Sequence, residues 1–279
     1  MKSNLLYRRK RIMSYEILVL DIDGTLTNSE KIITERTKEA LFALQERGHK
    51  VVLASGRPTP GIMPIAEQIR LKDFGGYILA YNGAKVLNCQ TGEVIYQKSL
   101  PQESIKEIYG AAKEFKTGLL SYDQDGIITP EAPDEYIKIE AKINHLPVKQ
   151  VDNFVEYINY PVNKCLMTAD GLYLADVEVQ MKKRFGNLLN IYRSEPFFLE
   201  IMPQSIDKAY SLGKLLETLG MTKDQMICCG DGYNDLSMIQ YAGMGVAMAN
   251  ANEQVKEAAD FITLSNDEDG VAHVIHKFM

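Results

Sequence analysis

The sequence predicts an α/β fold in which a largely parallel sheet carries helices on both faces and a second, α+β unit is inserted. Five nearly continuous apolar runs of strand length recur along the chain, with helical segments between them. Strands buried on both faces of a parallel sheet have this composition, whereas strands with one solvated face alternate apolar and polar residues. The five predicted strands span residues 17–20, 51–54, 77–80, 226–229 and 245–248.

A helix is predicted between the first two strands. Thr34 offers a hydroxyl suited to capping a helix N-terminus, and Ala40, Leu41 and Leu44 follow at helical spacing before a stop at Gly48. An amphipathic helix between two buried strands indicates a βαβ unit.

The middle of the chain, from about residue 84 to residue 197, has a different pattern. Two alternating segments at 86–89 and 94–96 flank a turn at 90–93, which predicts a β-hairpin. Helices are predicted at 103–115, 134–144 and 174–185, and the βα pattern resumes only after Pro203. We therefore expect a discontinuous core domain at 13–83 and 199–279, an inserted α+β domain at 84–198, and a disordered leader at 1–12.

The charge and cysteine content of the chain indicate which kinds of binding partner and metal site to expect. The chain has 37 acidic and 31 basic residues, a formal charge of −6, which argues against nucleic acid or an anionic membrane as the main partner. The basic run at 8–11 is short and has no amphipathic face, so it favours a solvated leader over a binding patch. The four cysteines lack CxxC spacing and no apolar stretch reaches membrane-spanning length, so we expect a cytoplasmic protein without disulfides or zinc.

Two aspartates at the end of the first apolar run carry the strongest chemical signal. Asp21 and Asp23 are separated only by Ile22, so the period of two along a strand can direct both carboxylates to the same side. Two carboxylates at such a short distance repel each other, and each raises the pKa of the other unless a cation lies between them. The pair therefore predicts a site for Mg²⁺, although a plain Asp-Gly turn after the strand is the alternative.

The other predicted strands also end in polar or glycine-rich segments. Ligands of open parallel sheets bind beyond the carboxyl ends of the strands, so these segments are expected to meet at one site. The segments that follow the second, third and fourth strands are Ser55-Gly56-Arg57, Asn82-Gly83 and Gly230-Asp231-Gly232-Tyr233-Asn234-Asp235.

Together these motifs resemble those of haloacid dehalogenase-like (HAD) phosphatases, and specifically the Cof-type subfamily, in which a cap domain is inserted between the second and third motifs. The similarity covers nearly the whole chain from Met13. It implies a Rossmann-like core and rests on motifs at 21–26, 54–57, 208 and 230–235, with an Asn-Gly-Ala junction at 82–84.

The resemblance assigns a role to each candidate residue. It implies that Asp21 is the nucleophile that forms a phosphoaspartyl intermediate, and that Asp23 is the general acid and base. Spacing alone does not choose between the two aspartates. Lys208 is expected to offset the charge of nucleophile and phosphate, although a lysine in such a segment is ordinarily a solvated surface residue.

The remaining assignments concern phosphate and metal. Phosphate binding is implied for Ser55, Gly56, Arg57, Asn82 and Asn234, with an ordinary helix cap as the alternative for Ser55. The Mg²⁺ ligands are expected from Asp21, Asp23, through its backbone carbonyl, and Asp231, with Asp235 supporting Lys208 or a metal-bound water. The third motif, Ser205-Ile206-Asp207-Lys208-Ala209, lacks the glycines that many relatives carry around the lysine, which leaves its loop geometry open.

The implied reaction is Mg²⁺-dependent hydrolysis of a small phosphorylated metabolite. Sugar phosphates come first, and pyridoxal phosphate or flavin mononucleotide come second. The inserted domain is expected to cover the site and set specificity, with Tyr122, Asp123 and Lys164 as candidate contacts or, equally, as ordinary surface polar residues. A sugar phosphomutase using the same aspartates and a non-catalytic sugar-phosphate sensor are the rival functions. No nucleic-acid or membrane partner is expected, and the oligomeric state cannot be read from the residues.

Overall fold

The structure is a computed structural model that describes residues 15–279, and its strands form two sheets. The expected leader at 1–12 lies outside the described residues. The strands of the larger sheet are β1 (Ile17–Leu20), β2 (Lys50–Ala54), β3 (Tyr77–Ala80), β4 (Lys85–Asn88), β5 (Val94–Gln97), β12 (Met226–Gly230), β13 (Met244–Ala247) and β14 (Phe261–Ile262). Those of the smaller sheet are β6 (Gly118–Tyr122), β7 (Ile127–Thr129), β8 (Val148–Gln150), β9 (Cys165–Thr168), β10 (Leu189–Glu195) and β11 (Phe198–Pro203).

The helices complete the chain. They are α1 (Glu35–Glu46), α2 (Thr59–Gln68), α3 (Gln102–Phe115), α4 (Glu135–Asn144), α5 (Phe154–Tyr157), α6 (Gly171–Phe185), α7 (Lys208–Leu219), α8 (Leu236–Tyr241), α9 (Glu253–Ala258) and α10 (Gly270–Phe278). No helix among residues 15–279 combines the length and the apolar character needed to cross a membrane.

The larger sheet has the order β14-β13-β12-β1-β2-β3-β4-β5, and its first six strands are parallel. Successive residues of β1 contribute to the two opposite faces: Leu18 and Leu20 pack in one hydrophobic cluster, Ile17 and Val19 in the other. Helices α1, α2 and α10 cover the first face and α7 covers the second. The predicted α/β class is confirmed, because both faces of β1 are buried and its sequence has no polar position.

The first βαβ unit forms as its sequence predicts. Thr34 caps α1, its Oγ1 accepting a hydrogen bond from the backbone amide of Thr37 at 3.2 Å. Gly48 ends the helical segment with a φ of +92°, a left-handed conformation that favours glycine.

The smaller sheet has the order β10-β11-β9-β6-β7-β8, and all neighbouring strands except β7 and β8 are antiparallel. Helices α3 and α6 pack on one face. Helix α4 packs on the other face, where Ile137 joins a cluster that continues into the core domain. The face that bears α4 is therefore the face turned toward the larger sheet.

The expected boundaries of the inserted domain are wrong at both ends. The sequence predicts the β4–β5 hairpin within the inserted domain at 84–198, but β4 pairs antiparallel with β3, and the hairpin extends the larger sheet. A left-handed turn at Tyr81–Gly83 reverses the chain onto β3, and this reversal leaves no sign in the alternating pattern of β4. At the other end, β11 pairs with β9 and β10, so the smaller sheet continues to Pro203.

Candidate active site

The predicted site residues lie where the central parallel strands end. Asp21 directly follows β1, Ser55 follows β2 and Asp231 follows β12. Because β12, β1 and β2 are adjacent and parallel, their carboxyl ends meet at one edge of the sheet. The Tyr81–Gly83 turn lies at the same edge after β3, since the amide of Asn82 donates to the carbonyl of Ser55 at 3.0 Å.

Lys208 is the centre of the site. It opens α7, is fully buried, and its Nζ donates to Asp21 Oδ1 at 2.7 Å, to the carbonyl oxygen of Ala54 at 2.7 Å and to Asp235 Oδ1 at 2.5 Å. Burial disfavours the charge, but the two carboxylates raise the pKa of Lys208 above its usual range. All three protons of the ammonium are therefore used, and the surface-lysine interpretation is wrong.

Asp207 explains how the third motif reaches this position without its usual glycines. Its side chain caps α7 by accepting from the amide of Tyr210 at 2.8 Å, which starts the helix at Lys208. The hydroxyl of Ser211, one turn later, donates to the carbonyl of Gly83 at 2.5 Å. The helix N-terminus is thus held against the turn after β3.

Three carboxylates form an acidic cluster around this lysine. Oxygen atoms of Asp21, Asp231 and Asp235 lie within 4.8 Å of one another. Burial, followed by the negative charge of Asp235, raises the pKa of Asp21 well above its usual range, and burial raises the pKa of Asp231 to about 6. A divalent cation fits this cluster, because it would compensate the charge that burial disfavours.

Asp235 is already engaged by the protein. Its Oδ2 accepts from the amides of Asp231 and Gly232 at 3.0 and 2.9 Å, and its Oδ1 accepts from Lys208. Asp235 therefore shapes the loop after β12 and orients Lys208, as expected for a supporting residue. Asp21 and Asp231 are the two carboxylates better placed to hold a cation.

Gly24 lets the first motif approach Asp231. Its φ is +85°, and a Cβ at this position would lie 2.3 Å from Asp231 Oδ2. The next residue, Thr25, donates its hydroxyl to Asp231 Oδ1 at 2.8 Å. Only glycine permits this turn and this contact together.

Asp23 does not join the acidic cluster, contrary to the idea that both carboxylates point to one side. Strand β1 ends at Leu20, so Asp23 lies in the following turn and not on the strand. Its carboxylate accepts from Arg57 Nε and Nη2 at 2.8 and 2.7 Å and from Lys31 Nζ at 3.0 Å. Burial opposes ionisation, but the hydrogen bonds and charge of Arg57, aided by Lys31, lower the pKa of Asp23 below its usual range.

This geometry leaves two residue assignments as predictions. The carboxylate of Asp23 is engaged by Arg57 and Lys31 and lies outside the acidic cluster, whereas the metal ligand expected from Asp23 is its backbone carbonyl. The guanidinium of Arg57, expected to bind phosphate, forms a bidentate pair with Asp23 in this structure.

The other predicted phosphate residues are brought together. Ser55 is buried and its Oγ accepts from the amide of Arg57 at 3.2 Å, while α2 begins after Pro58 with no side-chain cap. The helix-cap interpretation of Ser55 is therefore wrong. A Cβ on Gly56 would lie 3.2 Å from the side-chain amide of Asn82, whose Oδ1 accepts from Asn234 Nδ2 at 3.1 Å.

Sequence reasoning missed Lys31 and Tyr192. Lys31 pairs with Asp23 from the loop before α1, where it has a left-handed φ of +62°. Tyr192 reaches the site from β10 of the smaller sheet, its hydroxyl 3.5 Å from Asn82 Nδ2. A lone lysine in a loop and a tyrosine in a strand match no motif, and no signal in the sequence could have found them.

The three candidate contacts in the inserted domain have different environments. Lys164 is buried and pairs with Glu200 at 3.1 Å, and Tyr122 is buried and donates to Glu140 at 2.5 Å, so neither is a surface residue. Asp123 lies at the turn after β6 and accepts from the hydroxyl of Tyr157 at 2.9 Å.

Comparisons with known proteins agree with this geometry. A family model described as haloacid dehalogenase-like hydrolase matches residues 18–275. The chain is 35% identical over 268 residues, 95% of its length and 98% of the relative's, to "Putative phosphatase YxeH" of Bacillus subtilis (strain 168).

Solved structures give the same result. A haloacid dehalogenase-like hydrolase from Bacteroides thetaiotaomicron superimposes with a TM-score of 0.92 at 48% identity, covering 95% of this chain and 100% of that one. The HAD subclass IIB sugar phosphatase BT4131 superimposes with a TM-score of 0.76 at 28% identity, covering 94% and 98%. The family model and the relative each match nearly the whole described chain. The chain therefore belongs to the haloacid dehalogenase-like hydrolases, the family that its motifs predict.

Proposed function

We propose that this hydrolase is a phosphatase that releases inorganic phosphate from a small phosphorylated metabolite with the aid of Mg²⁺. The observation that carries the proposal is the position of Lys208, a fully buried cation that bonds to Asp21 and Asp235 beside Asp231. Such a centre stabilises negative charge at a fixed point, which is the main requirement of phosphoryl transfer.

Asp21 is the proposed nucleophile. Its Oδ1 is held by Lys208, which leaves Oδ2 to attack phosphorus. The new bond joins Oδ2 to phosphorus while the bond from phosphorus to the ester oxygen breaks and its electron pair leaves with that oxygen. Asp21 and Asp231 would hold Mg²⁺, which supplies positive charge to the phosphoryl oxygens when bound.

Asp23 is the proposed proton carrier. In the first step it would give a proton to the departing alcohol, and in the second it would take one from the water that displaces Asp21 from phosphorus. The pairing with Arg57 and Lys31 favours the ionised carboxylate, which is the form needed in the second step. The first step then requires Asp23 to bind its proton and to leave this pairing.

Sugar phosphates are the proposed substrates, in a cytoplasmic setting and without a nucleic-acid or membrane partner. Support comes from the similarity to BT4131, a sugar phosphatase of subclass IIB, along 94% of this chain. A phosphomutase would use the same aspartates but would need a bisphosphorylated sugar, and a sensor would have no need of Lys208 and three carboxylates together.

A panel of phosphorylated metabolites assayed with and without Mg²⁺ tests the proposal. We expect phosphate release that needs the metal, with Asp21→Asn at least about 10³-fold slower because the nucleophile is lost. Asp23→Asn should lose turnover and still bind substrate and metal, whereas the exposed Asp73→Asn should behave as wild type. No release across the panel, or full activity in Asp21→Asn, would refute the proposal, and stimulation by glucose bisphosphate would favour the mutase.

A further inference from the structure

A cavity of about 750 Å³ lies between the two sheets, beside the site and apart from its catalytic residues. The core domain contributes the start of α2, the Tyr81–Gly83 turn and the β4–β5 hairpin, and the inserted domain contributes the turn after β6 and the loop before β9. Its lining includes none of the predicted phosphate or metal residues. The volume is in the range of pockets that bind small organic ligands.

Two pairs of tyrosines form much of the wall. Tyr81 from the core domain and Tyr122 from the inserted domain lie 5.9 Å apart between ring centroids, and Tyr157 and Tyr160 lie 6.5 Å apart with their rings nearly perpendicular. Aromatic rings from both domains therefore face one space, which favours a planar ring as the occupant.

Lys85 supplies a positive charge that pairs with no carboxylate of the described residues, 15–279. It begins β4, is half-buried and lines the cavity. Burial lowers the pKa of its ammonium, and no carboxylate among residues 15–279 offsets that effect. A partly buried cation beside a cavity favours an anion as its partner.

Three other charged side chains line the wall, those of Lys164, Asp123 and Asp125. Lys164 pairs with Glu200. Asp123 accepts from the hydroxyl of Tyr157 and from two backbone amides, and Lys149 lies close enough that Asp123 contributes to raising its pKa. Asp125 is exposed to solvent and, like Asp123, lies close enough to Lys149 to contribute to raising its pKa. Of the two lysines in the wall, Lys85 is therefore the one that pairs with no carboxylate of residues 15–279.

Tyr160, which also lines the cavity, adds a buried polar group. Its hydroxyl is shielded from solvent and forms no hydrogen bond within the part of the chain that the structure describes. An unpaired buried hydroxyl is costly, and a small shift of the ring would let a ligand atom satisfy it.

We propose that this cavity is a binding site for a planar aromatic or heteroaromatic ring that carries a negatively charged group, with the ring packed against the tyrosines of the wall and the anion at Lys85. The occupant is either a separate effector or the organic part of a substrate whose phosphate lies at Asp21. The second alternative rests on the proposed phosphatase activity, and it would make the substrate an aromatic phosphate ester in place of a sugar phosphate. In both cases it contacts the core and inserted domains at once.

Isothermal titration with naphthalene-1-sulfonate tests the site, because binding is read without turnover and does not depend on the proposed phosphatase activity. We expect binding to wild type and about tenfold weaker binding to Lys85→Met, which removes the charge and keeps the chain length. Neutral naphthalene-1-sulfonamide should bind both proteins equally. The matched control Lys106→Met, an exposed lysine on α3, should behave as wild type.

Kinetics separate the two kinds of occupant. If naphthalene-1-sulfonate competes with 1-naphthyl phosphate and Lys85→Met lowers kcat/KM for that ester alone, the cavity holds part of the substrate. If it alters turnover of glucose 6-phosphate without competing, the occupant is an effector. Absence of binding to wild type at millimolar concentration, or equal binding to wild type and Lys85→Met, overturns the proposal. Lys85→Gln repeats the comparison if Lys85→Met does not fold.

Discussion

The pairing of Asp23 with Arg57 is the residue-scale feature that separates the two acids of the first motif. Asp21 is buried near other carboxylates, which raises its pKa, whereas Asp23 faces a guanidinium and an ammonium, which lower its pKa. Two aspartates one residue apart thus have opposite electrostatic environments, a pattern typical of a nucleophile beside a separate proton carrier.

Arg57→Met should move the pH profile of the reaction. Without the guanidinium the pKa of Asp23 rises, so its protonated form persists to higher pH and the alkaline limb of kcat/KM shifts upward by about one unit. The shift should appear with a sugar phosphate, whose alcohol needs a proton to leave, and not with 4-nitrophenyl phosphate.

Lys31→Met removes the second cation that contacts Asp23 and serves as a comparison with a smaller expected shift. Its side chain is 62% exposed, so solvent screens its charge and the shift should be smaller. Equal profiles for wild type and Arg57→Met with the sugar phosphate would contradict a role of Arg57 in setting the protonation of Asp23.

At the scale of elements, local signals predicted the core well and the domain boundary poorly. Thr34, Gly48 and the apolar runs specify α1 and β1 because capping and burial act within a few residues. The β4–β5 hairpin was misassigned because its partner strand, β3, is chosen by the left-handed Tyr81–Gly83 turn. A tyrosine with positive φ has no sequence signature.

Asp134 gives a test of how the inserted domain holds α4 against its sheet. Its side chain caps α4 through the amide of Ile137 at 2.7 Å and accepts from the hydroxyl of Thr168 on β9 at 2.6 Å. Asp134→Ala should lower the free energy of unfolding by about 1–2 kcal/mol, measured by urea denaturation. Asp170→Ala, at the more exposed cap of α6, should cost less, and an equal loss in both variants would contradict this account.

For the whole molecule, the ordered motifs predicted the site because parallel strands bring distant segments to one edge. Asp21 and Asp231 are 210 positions apart in the chain, yet both follow adjacent strands. Contacts made by side chains from other elements, such as Tyr192 with Asn82 and Arg57 with Asp23, could not be predicted, since they depend on the three-dimensional path of loops.

The acidic cluster also links the stability of the whole protein to pH and metal. Burial raises the pKa of Asp231 from 3.8 to about 6, so between these values the folded protein binds more protons than the unfolded chain. In metal-free protein this group makes the free energy of unfolding fall as pH rises through that window. A divalent cation bound at Asp231 replaces the proton and offsets the free-energy cost of burying the ionised carboxylate.

We therefore expect 5 mM Mg²⁺ to raise Tm on the order of 3–5 °C at pH 7.5, where Asp231 is ionised, and by much less at pH 5.0, where the metal competes with a proton. Differential scanning calorimetry at the two pH values, with and without Mg²⁺, measures the effect. Asp231→Asn should abolish the increment at pH 7.5 because it removes a ligand charge, while the exposed Asp73→Asn should retain it. Equal increments at both pH values would show that the cation stabilises the fold elsewhere than at Asp21 and Asp231.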